Sequence, residues 1–128
     1  MNLLFSKTSF RTWRRTSAFK QKEIAILLGL KDTTHVSRME NGRRVPNLQL
    51  AMALEVLTGK SLHALFAEQY EAVEEETLAR VTTMLMAIEN HSSLASHSKR
   101  QCLKGCQDRV ITRHKQKHSY AETKEPWA

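Results

Sequence analysis

Apolar residues in the first half of the chain recur at helical rather than strand spacing. Between Ser9 and Ser17, Phe10, Trp13 and Arg14 share one side of a helix. From Gln21 to Leu28 the stripe is stronger, with Ile24, Ala25, Leu27 and Leu28 at i, i+1, i+3 and i+4. Gly29 stops that helix, because glycine readily takes the left-handed conformation that ends helices. Asp32 can cap the next helix by accepting the amide of Thr34 or His35. Val36 and Met39 form its apolar side, and Asn41-Gly42 ends it with strong turn chemistry. Pro46 blocks continuation, and Asn47 caps a fourth helix whose buried stripe is Leu48, Ala51, Leu54 and Leu57. Gly59 stops it. Ser61 then caps a fifth, short helix with Leu62, Leu65 and Phe66 on its apolar side. The sequence holds no period-two alternation long enough for a strand. The expected fold class is therefore all-α, with five helices packed into one domain over residues 1–66. A domain of that size buries only about 60% of its unfolded surface, so its stability is expected to be modest.

Beyond residue 66 the pattern changes. Ala67 to Asn90 reads as one long helix in which Leu78, Val81, Leu85 and Ile88 recur at i, i+3, i+7 and i+10. Tyr70 and Val73 can extend that seam. It can pack on the same chain or form a dimer interface, and two heptads do not decide between them. HSSLASHS reads as a linker. Lys99 to Lys117 can form a helix with Leu103, Cys106, Val110 and Ile111 on one side, and Ser119 to Ala128 is expected to fray. The last segment can fold back on the acidic helix, or serve as a loose basic arm.

Charge sharpens these boundaries. The 128 residues carry 20 Lys and Arg against 13 Asp and Glu, a formal net charge of +7. Residues 1–66 contribute +7, residues 67–90 contribute −5, and residues 91–128 contribute +5. The chain is basic, then acidic, then basic, and the sign changes mark three segments: 1–66, 67–90 and 91–128. A small protein this basic usually meets a polyanion. The charge that points to one is concentrated in the first segment.

Several function classes fall away. The longest apolar run, Ile24 to Leu30, is far short of the ~18–20 residues of a membrane span. Leu3, Leu4 and Phe5 are too few for a secretory signal. Residues 1–22 are basic, hydroxyl-rich and free of acidic residues, as organellar transit peptides are, but residues 8–17 are needed as a structural helix. Cys102 and Cys106, with His114 and His118, give the spacing C-x3-C-x7-H-x3-H. A DNA-reading zinc finger needs about 12 residues between the two pairs, so reduced thiols and no metal are expected. No cofactor is implied. The sequence has no Gly-rich phosphate loop and no nucleophile paired with a base, so an enzyme is not expected.

The second and third helices carry the functional signal. Two short helices crossing steeply need a small residue in the first, a glycine at the turn and inward apolar residues in the second. Ala25, Gly29, Val36 and Met39 meet that need. On a wheel of the third helix, residues 33–41, Val36, Met39 and Glu40 cluster on one side, with Thr34, Ser37, Arg38 and Asn41 opposite. Thr33 sits at its first turn. This outward face is short, polar and cationic, which suits base edges. Arg38 can donate two hydrogen bonds to a guanine, and threonine methyls can touch thymine.

These stretches, QKEIAILLGL, VSRMENGRRVPNL and LTGKSLHALF, resemble the lambda repressor-like (XRE/Cro-type) helix-turn-helix family of bacterial and phage regulators. The resemblance covers roughly residues 8–66, and its combination of Gln21, Ala25, Gly29, Arg38 to Gly42 and Pro46 is specific. It implies a five-helix DNA-binding domain. By that resemblance Thr33, Thr34 and Arg38 would read bases in the major groove, and Ser37 shares their outward face on the wheel. Gln21 and Asn41, with Arg43 or Arg44, would contact the DNA backbone, and Arg14 would pair with Glu40 beneath the surface; Lys20, at the start of the second helix, is a further backbone candidate. A carboxylate on an inward face needs such a partner.

Two departures stand out. The GLKD turn carries one residue more than the family's, which can tilt the reading helix. Lys20 replaces the usual Ser or Thr cap, forfeiting roughly 1 kcal/mol, and its charge opposes the helix dipole unless a phosphate sits there. The expected protein is a cytoplasmic, nucleoid-associated transcriptional regulator that binds double-stranded DNA as a homodimer. Two alternatives stay open. One is an antitoxin of the same fold that binds a toxin protein through residues 67–128. The other is a protein-interaction adaptor using the fold as scaffold.

Overall fold

The computed structural model describes the backbone of residues 7–123 and the side chains of residues 7–116. Among the described residues there are seven helices and no strand, so the chain is all-α. The helices are α1 (Ser9–Thr16), α2 (Gln21–Leu27), α3 (Thr34–Glu40), α4 (Leu48–Thr58), α5 (Leu62–Leu65), α6 (Ala67–Ala87) and α7 (Leu94–Thr123). The chain divides into two compact units, Met1–Glu74 and Glu75–Ala128. The division therefore falls inside α6, rather than at residue 66 where the sign of the charge changes.

Local chemistry starts the helices of the first unit. The Thr8 hydroxyl accepts from the Arg11 amide, Asn47 Oδ1 from Leu50 and Ser61 Oγ from Ala64. Each satisfies one of the amides a helix start leaves bare. Lys20 has no acceptor to offer at the start of α2. There Glu23 supplies the reciprocal half of a capping box, its carboxylate accepting from the Lys20 amide at 2.9 Å.

The first three helices end in one shared way. After α2, Gly29 stands at φ +71, with Leu30 N–H donating to the Ala25 carbonyl and Gly29 N–H to that of Ile26. After α3, Gly42 at φ +70 repeats the arrangement, with Arg43 donating to Arg38 and Gly42 to Met39. Both are Schellman closures, which satisfy two orphan carbonyls and need a left-handed residue. After α1 the same bonds form, Phe19 to Arg14 and Ala18 to Arg15, but the left-handed residue is Ala18 at φ 66. Its Cβ makes that conformation costly by about 1 kcal/mol.

The closures turn the helices back on a common core. Phe10, Ile24, Ala25, Val36, Met39, Leu50, Leu54, Leu65 and Phe66 are buried together, with Trp13, Phe19, Leu28, Leu30, Leu57 and Leu62 packed around them. Phe10 meets Phe66 with ring centroids 6.3 Å apart, and Trp13 stacks on Phe19 at 6.0 Å. Trp13 thus serves packing.

Two residues of the expected buried stripes face solvent instead. Leu27 is 53% exposed and Leu48 74% exposed, whereas Leu28 is half-buried and Leu50 is 6% exposed. The reason is the same in both helices. α2 and α4 carry more apolar residues than one face holds, so periodicity leaves the inward face to be chosen by the neighbouring helices.

In the second unit the chain between α6 and α7 turns back on itself. Thr82 Oγ1 accepts from Gln107 Nε2 at 3.4 Å, while Arg100 Nη1 donates to the carbonyls of Ile88 and His91 at 2.8 and 2.7 Å. The lower-numbered partner meets the higher-numbered one, so α7 runs antiparallel to the end of α6. In this hairpin Val81 is buried, and Leu78, Leu85 and Ile88 are half-buried. HSSLASHS is not a linker throughout. Ser93 Oγ accepts from the Ser96 amide at 3.1 Å, its carbonyl accepts from His97, and α7 starts at Leu94. A serine cap three residues ahead of its acceptor target makes a helix start at that point. The helix expected over 99–117 is longer at both ends. Of the tail expected to fray, Ser119 to Thr123 continue α7, and residues 124–128 lie outside the described residues, as do residues 1–6 of the transit-like stretch.

Candidate nucleic-acid interface

The inner side of α3 is tied down by a polar knot centred on Glu40, whose side chain is 1% exposed. Its carboxylate accepts from Arg14 Nε, from Arg14 Nη2 at 2.9 Å and from Gln21 Nε2 at 3.0 Å. Arg14 Nη1 also donates to the Phe19 carbonyl at 2.9 Å, beside the strained Ala18. The Glu40 carbonyl in turn accepts from the Thr8 amide at 2.9 Å and from the Thr8 hydroxyl at 3.3 Å. One residue at the end of α3 thereby joins the start and end of α1 and the start of α2. A bidentate, charge-assisted pair of this kind fixes orientation as well as position.

This knot locates two nominated residues differently from the rest. Gln21 is half-buried and commits an amide hydrogen to Glu40. The family resemblance nominated it for the DNA backbone, but sequence alone did not show it turned inward. Asn41 is also half-buried. Its Nδ2 donates to the Ser37 carbonyl at 2.9 Å and lies 3.4 Å from Ser37 Oγ, closing the last turn of α3.

The outer side is different. Thr34 and Arg38 are exposed on α3, Thr33 and Ser37 are half-buried, and Arg43 and Arg44 are exposed in the loop that follows. Lys20 is exposed at the start of α2. The carboxylates near this surface are engaged by backbone or buried donors. Glu23 accepts from Lys20 N–H, Asp32 from Thr34 N–H at 2.9 Å, and Glu40 sits in the knot. The backbone and hydroxyl of Thr34, with Arg38 at longer range, hold the Asp32 carboxyl below its ordinary range. Asp32 is therefore the helix-opening acceptor of α3, and an anion on an otherwise cationic face.

His35 lies half-buried on α3 beside this surface. Burial, and the nearby Arg44 and Arg38, push its imidazole below the usual value, so it is neutral at pH 7. Its Nε2 is buried without a hydrogen-bond partner among the described residues. The signal that reveals it is the clustering of Arg38 and Arg44 around it, which linear spacing does not display.

Cys102 and Cys106 are free thiols on α7. The side chain of His118 lies outside the described residues, and among those described no group of His, Cys, Asp and Glu is arranged to hold a metal ion. No described helix is long and apolar enough to cross a membrane. No family model, curated protein or solved structure matches the chain.

Proposed function

We propose that residues 8–66 form a lambda repressor-like helix-turn-helix domain, and that the protein is a sequence-specific DNA-binding transcriptional regulator acting as a dimeric repressor or autoregulator in the nucleoid. The observation that carries the reading is the two-sidedness of α3. Its inner residues Val36, Met39 and Glu40 are buried, while Thr34 and Arg38 are exposed beside Arg43 and Arg44. A helix gripped on one side and polar and cationic on the other suits insertion into a major groove about 12 Å wide.

In this reading Thr33, Thr34, Ser37 and Arg38 contact bases. Lys20, Arg43 and Arg44 neutralise phosphates, which makes affinity strongly salt-dependent. Gln21 and Asn41 reach the DNA backbone only with the donors left after their internal hydrogen bonds, so their larger part is to hold α2 and α3 in place. Neutralising the cation at Lys20 with a phosphate relieves its clash with the helix dipole.

An antitoxin of the same fold is the second reading. It is favoured by Met84, Met86, Leu94 and Ile111, exposed at 53%, 70%, 83% and 51% in the second unit, since exposed methionines suit adaptable protein contacts.

Selection of bound duplexes from random DNA tests the proposal. Arg38→Ala is expected to lower affinity for the selected duplex by about 1–3 kcal/mol and to relax the preference at one base pair, with the melting temperature unchanged. An unaltered affinity and preference would remove α3 as the reading element.

A further inference from the structure

Resting on the DNA reading above, we propose that binding is coupled to a proton: the protein takes one up at His35 as DNA docks, so its affinity for the duplex rises as pH falls. His35 is half-buried on α3, between the exposed Thr34 and the buried Val36. Its ring lines a cavity of about 250 Å³, shared with the apolar side chains of Leu28, Leu30, Leu50 and Ala53 and the amides of Asn47 and Gln49. Nε2 is buried and has no hydrogen-bond partner among the described residues. Asn47 Oδ1 already accepts from the Leu50 amide.

The charges that act on the ring are of one sign. Arg44 approaches from the loop before α4, and Arg38 stands three residues further along α3. The turn after α2 and the start of α4 present only uncharged residues to the cavity. Asp32 has its carboxylate on the Thr34 amide, and Glu40 is held in the knot. Burial and the two guanidiniums together keep the imidazole neutral in the free protein. DNA removes the guanidinium part of that opposition. In the complex Arg44 meets a phosphate and Arg38 meets base acceptors, so their repulsion is compensated and the phosphate charge favours an imidazolium.

The cavity makes the charged ring tolerable. An imidazolium donates from both nitrogens, and a dry apolar site would leave Nε2–H without an acceptor. Here the space beside Nε2 and the amides of Asn47 and Gln49 give room and partners for hydrating water. The reaction is imidazole plus a solvent proton giving imidazolium, with no other bond changed. Binding and protonation favour each other by the same factor, as linked equilibria must. For each pH unit by which DNA raises the midpoint of His35, affinity gains up to about tenfold between the neutral and the protonated range.

The test is titration of a selected duplex with the full chain from about pH 8 to about pH 5.5, wild type beside His35→Gln, with helical circular dichroism at each pH to verify the fold. Wild-type affinity is expected to rise about three- to tenfold more than that of His35→Gln over this range, and the two to agree within about twofold at the alkaline end. The difference between the two proteins cancels the other five of the six histidines. A second measurement observes the wild type itself. The proton resonances of the His35 ring, assigned by their loss in the variant, are followed against pH with and without duplex. The midpoint is expected below about 6.5 in the free chain and at least about 0.5 pH higher in the complex. Parallel affinity curves for wild type and variant, or a midpoint that DNA leaves in place, overturn the proposal while the DNA reading stands. A wild-type affinity that falls with pH, relative to the variant, overturns it as well. A chain that selects no duplex overturns the DNA reading, and the proton uptake with it.

Discussion

Glu40→Ala is the most informative single change. It removes the acceptor of three N–H donors from two residues, Arg14 and Gln21, at a side chain 1% exposed. Arg14, itself only 14% exposed, would keep the Phe19 carbonyl as a partner for one of its donors and carry an uncompensated charge. Breaking a buried pair in this way costs about 3–5 kcal/mol. A domain of this size has a total stability of roughly 3–9 kcal/mol, so the loss consumes a large part of it. The assay is urea unfolding followed by Trp13, which stacks on Phe19 next to the knot, in a Trp127→Phe background. In thermal unfolding of the same variant the expected melting shift is more than about 12 °C. The double variant Arg14→Met with Glu40→Leu should cost less than Glu40→Ala alone, because it removes the charges together and keeps the volume. A single-variant loss below about 1 kcal/mol would refute the argument, as it is what an exposed pair gives. So would a double variant whose loss equals the sum of its parts, which independent sites would show.

Two further outcomes follow from local features. Ala18→Gly should stabilise the first unit by about 0.5–1 kcal/mol, because the left-handed φ of 66 penalises a Cβ; unchanged or lower stability in the same urea assay would contradict the strain. His35 binds its proton less readily in the folded than in the unfolded chain, so the unfolded state holds more protons as pH falls past about 6.5 and stability drops. Melting temperatures measured from pH 7.5 down to 5 should fall less steeply in His35→Gln than in the wild type, and parallel curves would remove His35 as the cause.

Much of the first unit was legible because its signals are local. Gly29 and Gly42 end helices through their own φ, and Asn47 and Ser61 start them through side chains that reach three residues ahead. Such features involve neighbours in the chain and need no knowledge of the rest of the fold. Arg14 and Glu40 were nominated through family resemblance and the cost of an inward carboxylate, and they lie against each other. The inward turn of Gln21 was not legible, since it depends on three segments converging on one carboxylate. Ala18 was missed because alanine carries no sequence mark of a left-handed residue. Ser93 did carry a signal, a hydroxyl ahead of a helix-forming run, in a stretch whose serines and histidines read as linker.

By itself, then, the sequence determined an all-helical chain, the positions of its helix ends in the first unit and the concentration of basic charge in residues 1–66. Each of these is set by bonds within a few residues or by simple composition. Only the tertiary structure decided which sides of α2 and α4 are covered, leaving Leu27 and Leu48 in solvent and Leu28 and Leu50 inside. It also decided that α7 turns back along the end of α6, and that a groove opens beside α4. A helix with apolar residues on several sides has no preferred inward face until other helices arrive, so that choice belongs to the packing and not to the pattern.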